Sequence, residues 1–93
     1  MADDVRDNAA KSRYELDVDG HVAFVDYRLK PDGILLVHTE VPSELGGRGV
    51  GSKLARGTLD AVRARGLKAE LRCDFLEAYV KKHPEYADLV VAR

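Results

Sequence analysis

The stretch "VPSELGGRGVGSKLARGTLD", residues 41–60, decides how this sequence folds. It places four glycines within positions 46–51 and then runs directly into apolar and small residues at helical spacing, which are Val50, Leu54, Thr58, Ala61 and Val62. Gly66 follows this pattern and suits the left-handed conformation that commonly ends a helix. The stretch therefore predicts a glycine-rich loop that opens a helix of about four turns.

A glycine loop before a helix is either an ordinary turn or a site for an anionic ligand. The N-terminus of a helix has unpaired backbone N–H groups and a partial positive charge, which together favour a phosphate group. Residues 48–68 carry six basic side chains against a single acid, Asp60, and this local charge favours the ligand site. The alternatives are that the glycines only form a turn and that the cations belong to a solvated helix surface.

Two common phosphate-binding motifs do not match this loop. The nucleotide P-loop needs glycine, four residues, and then Gly-Lys-Ser/Thr, but here the serine precedes the lysine. The dinucleotide motif Gly-x-Gly-x-x-Gly also fails, because its last position holds no glycine when counted from Gly47 or from Gly49. What remains is Gly-x-Gly at a junction between a strand and a helix, as in "GGRGVG".

Length and composition limit the classes of protein that this chain can belong to. Its 93 residues predict one small globular domain with a modest core. A net charge of -1 gives no overall electrostatic case for nucleic acid or an anionic membrane. We expect a monomer or small homo-oligomer, with neither kind of partner.

The single cysteine and the three histidines further restrict the chemistry. Cys73 alone cannot form an internal disulfide or a cysteine-based zinc site, and it suits a reducing compartment. His21 and His83 lack the spacing of metal ligands, so we expect no metal. No apolar stretch is long enough for a signal peptide or a membrane span, which together with the lone cysteine predicts a cytoplasmic protein.

The segments before the glycine loop predict three antiparallel strands. "SRYELDV" and "HVAFVDYRLK" alternate between apolar and polar residues, and the second would place Ala23, Val25, Tyr27 and Leu29 on one face. Turn signals at "DG", residues 19–20, and "KPDG", residues 30–33, predict two hairpins. The third strand, "ILLVHTEV", is apolar at nearly every position in its first half, which predicts a strand covered on both faces and therefore central in the sheet. Residues 1–11 predict a loose leader whose end joins the first strand.

The segments after the glycine loop complete an α+β fold. "LKAELRC" alternates again and predicts a fourth strand, which the intervening helix would place parallel to the third. Asp74 and Glu77 then resemble a capping box that opens a second helix through about Lys82, with Pro84 ending it. "PEYADLVV" predicts a final helical turn or two.

At its glycines the sequence resembles the GNAT acetyltransferase superfamily. In that family a loop of pattern Gln/Arg-x-x-Gly-x-Gly/Ala binds the pyrophosphate of acetyl-coenzyme A through backbone amides. Gly49 and Gly51 occupy the two glycine positions, whereas Gly46 stands where the family has Gln or Arg. This departure removes a side-chain contact but leaves the backbone amides in place.

The resemblance extends over nearly the whole chain, through "YELDVDGHVAFVDY", "HTEVPSELGGRGVGSKL" and "RARGLKAELRCDFLEAYVKKHPEY". These segments resemble the very small, single-domain GNAT-like proteins, which lack the N-terminal helices that build the acceptor site in larger members. The resemblance implies a small GNAT-like fold with acetyl-coenzyme A lying where the third and fourth strands splay apart. The binding residues that it implies are Val41, Gly46, Gly47, Arg48, Gly49, Val50, Gly51 and Ser52.

Two candidate catalytic residues follow the fourth strand. Cys73 directly precedes a helix N-terminus, which can lower a thiol pKa, and small GNAT-like relatives carry a cysteine here for which a catalytic role is proposed. Cys73 also shares a face with Leu71, so it is equally a candidate core residue. Tyr79 corresponds to the tyrosine that often donates a proton to the coenzyme thiolate in larger GNAT enzymes. Its alternative role is that of a half-buried aromatic residue.

A further pair of polar residues lies at the end of the third strand. His38 and Glu40 are two residues apart, so both project from one face, and Glu40 could supply a base directly or through water. The alternative is a polar pair that only orients the loop.

The leading hypothesis is an N-acetyltransferase that moves an acetyl group from acetyl-coenzyme A to an unidentified amine, either directly or through Cys73. A coenzyme A binding or regulatory module without efficient catalysis is the second hypothesis. A small interaction domain without a coenzyme is the third.

Overall fold

A computed structural model describes residues 5–46 and 48–91 as a mixed sheet with two helices. The five strands lie in sequence order across the sheet, and the four strands predicted from the sequence are β2 to β5. The strands are β1 (Arg6–Asn8), β2 (Arg13–Val18), β3 (His21–Lys30), β4 (Gly33–Glu40) and β5 (Ala69–Leu71). The helices are α1 (Val50–Ala64) and α2 (Asp74–Lys82), with short 3-10 helices at Ser43–Leu45 and Pro84–Leu89.

Turn chemistry forms the two hairpins as predicted. Asp19 and Gly20 both have positive φ angles, 50° and 80°, which give the tight turn that matches the twist of paired strands. The second hairpin closes between Lys30 and Gly33. β4 then pairs antiparallel with β3 and parallel with β5, so its predicted central position and the predicted parallel crossover are confirmed. The predicted cover on both faces is wrong, because the described helices pack on only one face of the sheet.

The core lies between one face of the sheet and the two helices. Alternate strand residues such as Tyr14, Leu16, Ala23, Val25, Ile34, Leu36, Ala69 and Leu71 are buried there, together with Leu54, Leu59, Val62 and Leu76 from the helices. In the described part of the chain no helix packs on the opposite face of the sheet, which we call the open face. The structure thus has two layers and confirms the α+β class.

Leu29 is a correction to the predicted apolar face of β3. Its side chain is 58% exposed, although Ala23 and Val25 on the same strand are fully buried. β2 pairs with β3 only as far as Asp26, so Leu29 has no strand neighbour on that side. Leu29 therefore continues the apolar alternation of β3 but lies beyond the edge of the core.

The prediction of a loose leader is wrong for residues 6–8, which form β1. Arg6 pairs across the sheet with Glu15, and Asn8 pairs with Arg13. Just before β1, Val5 lies against Gly57 of α1, where an added Cβ would come within 2.7 Å of the Val5 Cβ. Pairing with β2 and packing on α1 therefore fix this segment, whereas residues 1–4 lie outside the described residues.

The start of α2 also differs from the prediction by one residue. Asp74 was expected at the N-cap, but Cys73 occupies that position with an extended backbone, and its carbonyl accepts the hydrogen bond of the Glu77 amide at 3.0 Å. The extended backbone that follows β5 continues through Cys73, so the helix begins only at Asp74. Asp74 and Glu77 still place negative charge in the first turn, which favours the helix.

Glu15 is a buried carboxylate on the open face of the sheet. It is only 3% exposed because Arg6, Arg13 and Asn8 surround it, with the Arg13 Nε at 2.5 Å and the Asn8 amide at 3.1 Å. The hydrogen bond from Arg13 lowers the pKa of Glu15 below its ordinary value. The charged form of Glu15 therefore stabilises the folded state.

This carboxylate predicts a specific pH dependence of stability. A lowered folded-state pKa stabilises the protein above the unfolded-state pKa of about 4.3, and the contribution disappears as pH falls through the folded-state value. Glu15→Gln removes the titration, so the free energy of unfolding of the two proteins should converge as pH falls below about 4. Urea unfolding of both proteins between pH 3 and pH 7 measures this. A difference that stays constant with pH would contradict the assignment.

Candidate functional site

The sheet opens between β4 and β5 near the carboxyl ends of these strands. β5 pairs with β4 only from Ile34 to Leu36, and the Arg72 amide makes a further bond to the Leu36 carbonyl at 2.9 Å. β4 nevertheless continues to Glu40, still paired with β3. The recorded pairing between the two strands therefore ends at Leu36, and we call the region between the end of β4 and the residues that follow β5 the gap.

A β-bulge lies at the start of this gap. Across β3 and β4, Asp26 pairs with His38 but Tyr27 pairs with Leu36, so Val37 is an extra residue on β4. A bulge bends the strand that carries it and increases its local twist. The bulge thus bends β4 at the point where its recorded pairing with β5 ends.

The end of β4 presents different side chains to the two faces of the sheet. Thr39 lies opposite the buried Val25 and therefore points towards the helices. His38 and Glu40 lie opposite Asp26 and Phe24, so both point to the open face. The gap therefore has a helix side, next to Thr39, and an open side, next to Glu40.

Backbone amides at the start of α1 face the same end of the sheet. Gly49 is the N-cap with a φ of 72°, and the first helical hydrogen bond runs from the Lys53 amide to the Gly49 carbonyl at 3.1 Å. Helix geometry leaves the amides of Val50, Gly51 and Ser52 without an acceptor inside the helix. The first turn contains no acid, so these amides offer an anion three donors and the positive end of a helix.

The other residues implied in coenzyme binding differ in what their groups already contact. The Gly46 amide donates to the Ser43 carbonyl at 3.0 Å, and Arg48 forms an ion pair with Asp19 in the first hairpin turn. Val41 packs against the core as a partly buried residue. Gly47 lies outside the described residues. The amides of residues 50–52 are therefore the better-placed donors.

Cys73 lies on the wall of the gap. Its half-buried thiol donates a hydrogen bond to the Thr39 hydroxyl at 3.2 Å. This contact connects the end of β4 to the start of α2, where the two strands no longer pair. The proximity of Cys73 to Thr39 was not predictable from the sequence, because the two residues are 34 positions apart.

Tyr79 lies in a cleft between α1 and α2. Its side chain is 9% exposed, and its ring stacks on His83 with 4.1 Å between centroids. Burial raises the pKa of Tyr79 above its ordinary value, so the phenol stays protonated at neutral pH. Ser52 lines the same cleft. Among the described residues, no hydrogen bond or ring contact joins Tyr79 to Cys73.

The predicted pair on β4 forms as expected. His38 Nε2 and Glu40 Oε1 are 3.0 Å apart, and each side chain is 56% exposed. The pair lies on the open face, across the sheet from Cys73 and Thr39. Among the described residues there is no group of three or more His, Cys, Asp and Glu side chains arranged to hold a metal ion.

A mixed sheet that opens beside the glycine-rich start of its crossover helix is the architecture of acyl-coenzyme A dependent transferases of the GNAT type. The family model described as GCN5-related N-acetyl-transferase matches residues 13–89. The chain belongs to the GCN5-related N-acetyltransferase family. Neither described helix is both long and apolar enough to cross a membrane.

Individual relatives agree with this family. Protein NATD1 from Gallus gallus is 47% identical over 49 residues, which cover 53% of this chain and 44% of that protein. Protein NATD1 from Danio rerio is 38% identical over 58 residues, covering 60% of this chain and 53% of that protein. The chain thus matches only about half the length of these relatives. A GCN5-like protein from Staphylococcus aureus, solved by NMR, superposes with a TM-score of 0.71 at 27% identity, covering 100% of this chain and 93% of its own.

Proposed function

We propose that this protein transfers the acetyl group of acetyl-coenzyme A to the amine of an acceptor that has not been identified. The observation that carries the proposal is the gap between β4 and β5, which lies at the same end of the sheet as the N-terminus of α1. The gap suits an acyl group, and the N-terminus of α1 suits phosphates. Family membership supports acyl transfer in general, and the donor and acceptor are our inference.

The start of α1 fits the pyrophosphate of coenzyme A. Its three amides provide hydrogen-bond donors and its helix dipole provides positive potential. A Cβ added at Gly49 would meet no atom within 4 Å, so open space surrounds this position and a ligand can approach the backbone. We propose that the amides of Val50, Gly51 and Ser52 bind the pyrophosphate.

The two sides of the gap suit the two substrates. In this proposal the thioester lies on the helix side, next to Cys73 and Thr39, and the amine approaches from the open face, next to His38 and Glu40. Glu40 removes a proton from the amine, whose nitrogen forms a bond to the thioester carbonyl carbon. The bond from that carbon to sulfur breaks, and coenzyme A leaves as a thiolate that takes up a proton.

Direct transfer is the route that the contacts favour. The Cys73 thiol donates its hydrogen bond to Thr39 and has no basic partner among the contacts of the described residues, whereas a nucleophilic thiol requires activation. The leaving thiolate needs little help, because the pKa of a thiol is about 8.5. Tyr79 lines the cleft rather than the gap, so we propose a binding role for it.

A cytoplasmic location is part of the proposal, since the lone cysteine suits a reducing compartment.

The experiment is a search for the acetylated amine. The protein is mixed with acetyl-coenzyme A and a panel of primary amines that includes lysine peptides and polyamines, and products are identified by mass spectrometry. We expect an acetylated amine and no acetyl group on Cys73. An acetyl adduct on Cys73 would replace direct transfer by a two-step route. Binding of coenzyme A without any product would indicate a binding module instead.

Glu40→Gln should lower kcat by about 100-fold, because general base catalysis contributes roughly that much or more. The affinity for coenzyme A should stay unchanged, since Glu40 points to the open face. Glu44→Gln is the matched control, because Glu44 is an exposed acid four residues away with no place at the gap. Steady-state kinetics and calorimetry measure the two effects. Equal kcat values for the two variants would remove Glu40 from the mechanism.

A further inference from the structure

We propose that the Thr39 hydroxyl donates a hydrogen bond to the carbonyl oxygen of the acetyl thioester, and that Cys73 orients this hydroxyl without reacting itself. This inference rests on the proposed function and names the side chain that stabilises charge in its acyl-transfer step. Thr39 is then a catalytic residue, because it touches the reacting group. Cys73 is a positioning residue, because it acts through Thr39.

The bulge at Val37 is what turns Thr39 towards the helix side of the gap. In a regular strand, residues an odd number of positions apart face opposite sides of the sheet. Leu36 and Thr39 are three positions apart, yet each lies opposite a residue that is buried on the helix side, Tyr27 and Val25 respectively. The extra residue on β4 reverses the alternation, and bulges next to active sites re-aim side chains in this way. The shape of β4 thus directs a hydroxyl to the side of the gap that suits the thioester.

The Thr39 hydroxyl has a proton available for a ligand. A hydroxyl has one proton to donate and two lone pairs that accept. Among the described residues, the recorded hydrogen bond of this side chain occupies a lone pair, because the Cys73 thiol is the donor at 3.2 Å. The proton of Thr39 is therefore left for another acceptor. The same contact limits the rotation of the hydroxyl and so fixes where its proton points.

The surroundings of Thr39 make this hydroxyl more than a packing group. The side chain is half-buried, and Val25 opposite it has no exposed surface. A hydroxyl beside apolar groups costs free energy unless it is hydrogen-bonded. A valine at this position would have nearly the same shape without that cost. The hydroxyl therefore needs partners, and a thioester carbonyl supplies the acceptor that its proton lacks.

The hydrogen bond strengthens as the reaction proceeds. The amine nitrogen forms its bond to the carbonyl carbon, and the π electrons of the carbonyl move onto oxygen. The Thr39 hydroxyl donates to this oxyanion more strongly than to the neutral carbonyl, because hydrogen bonds to charged acceptors are stronger. When the carbonyl forms again, the bond from carbon to sulfur breaks and its electron pair leaves with the thiolate. Thr39 keeps its proton throughout, and Glu40 takes the proton of the amine.

The first test observes the bound thioester by infrared spectroscopy. The full chain is mixed with acetyl-coenzyme A that carries carbon-13 at the thioester carbonyl. A hydrogen bond lowers the stretching frequency of a carbonyl group, so the labelled band should lie at lower wavenumber in the wild type than in Thr39→Val. Thr39→Ser keeps the hydroxyl and should restore the wild-type band. Equal bands in the wild type and in Thr39→Val would overturn the proposal.

Thr58→Val is the matched control. Thr58 is the other threonine of the chain, and its fully buried hydroxyl has no hydrogen-bond partner among the described residues. The same substitution there should leave both the carbonyl band and the activity unchanged. A band shift in Thr58→Val equal to that in Thr39→Val would mean that the shift reflects the fold and would overturn the assignment to Thr39.

The second test measures kcat with an amine found in the acceptor panel. Loss of one donor to an oxyanion costs about 100-fold or more in kcat, so Thr39→Val should lose about that factor. Its affinity for coenzyme A, which lacks the acetyl group, should stay unchanged in calorimetry. Thr39→Ser should recover most of the activity. Equal kcat values for the wild type and Thr39→Val would overturn the proposal.

A double-mutant cycle tests whether Cys73 acts through Thr39. Cys73→Ala removes one hydrogen bond that orients the hydroxyl, which should cost roughly 2- to 10-fold in kcat. In the Thr39→Val background the same change should have no further effect. An equal further loss there, or complete inactivity of Cys73→Ala alone, would overturn the positioning role. A carbonyl shift in a wild type that acetylates no amine would support the contact with Thr39 and overturn the proposed function.

Discussion

Gly49→Glu is expected to weaken coenzyme A binding by about 100-fold or more. A carboxylate at the N-cap of α1 lies against the proposed pyrophosphate position, and like charges brought together cost several kcal/mol, where each 1.4 kcal/mol is about tenfold in affinity. The φ of 72° at Gly49 adds backbone strain for any side chain. Titration calorimetry with coenzyme A measures the effect.

Gly66→Glu is the matched control for this strain. Gly66 has a φ of 70° and, like Gly49, no atom within 4 Å of an added Cβ. It follows the other end of α1, so the same substitution should cost a similar 1–2 kcal/mol of stability without changing binding. If both variants lose affinity, the loss reflects the fold and not the site. Normal binding by Gly49→Glu would remove the N-terminus of α1 from the proposed site.

Leu36→Ala should lower the free energy of unfolding by about 2–5 kcal/mol, the usual cost of a cavity at a fully buried leucine. Leu36 has no exposed surface, lies opposite Tyr27 and is the last residue of β4 that pairs with β5. A domain of this size has a total stability of only about 5–14 kcal/mol. The variant should therefore unfold at a much lower urea concentration.

Leu35→Ala tests the same strand on its other face. Leu35 is only partly buried and pairs with Arg28 on the open face, so its loss should cost about 1 kcal/mol. Urea unfolding of both variants gives the difference. Equal losses would mean that the open face of the sheet is as well packed as the helix face, which would contradict the two-layer architecture.

Much of the fold was predictable because its signals are local. Asp19 and Gly20 form a tight turn from their own backbone preferences, and Gly66 takes the expected left-handed conformation after α1. Alternation in β2 to β5 and helical spacing in α1 report directly which residues face the core. The glycine loop and its free amides were predictable for the same reason, since they follow from the start of one helix.

Features that depend on distant segments were not predictable. Glu15 belongs to the polar face of its strand by alternation, but β1 places Arg6 and Asn8 around it and buries it. Cys73 and Thr39 are 34 residues apart in the chain and meet only because β4 and β5 are neighbours in the sheet. No local pattern contains information about such pairs.

The sequence by itself determined the order of the elements from β2 to α2, the family, and a glycine-rich loop that opens α1. Only the tertiary structure decided that Glu40 and Cys73 lie on opposite sides of the gap, and that Ser52 of α1 and Tyr79 of α2 line one cleft. Helical spacing tells which residues of a helix share a face, but the direction of that face depends on how α1 and α2 pack against each other. That packing is set by long-range contacts of the core, which no single segment encodes.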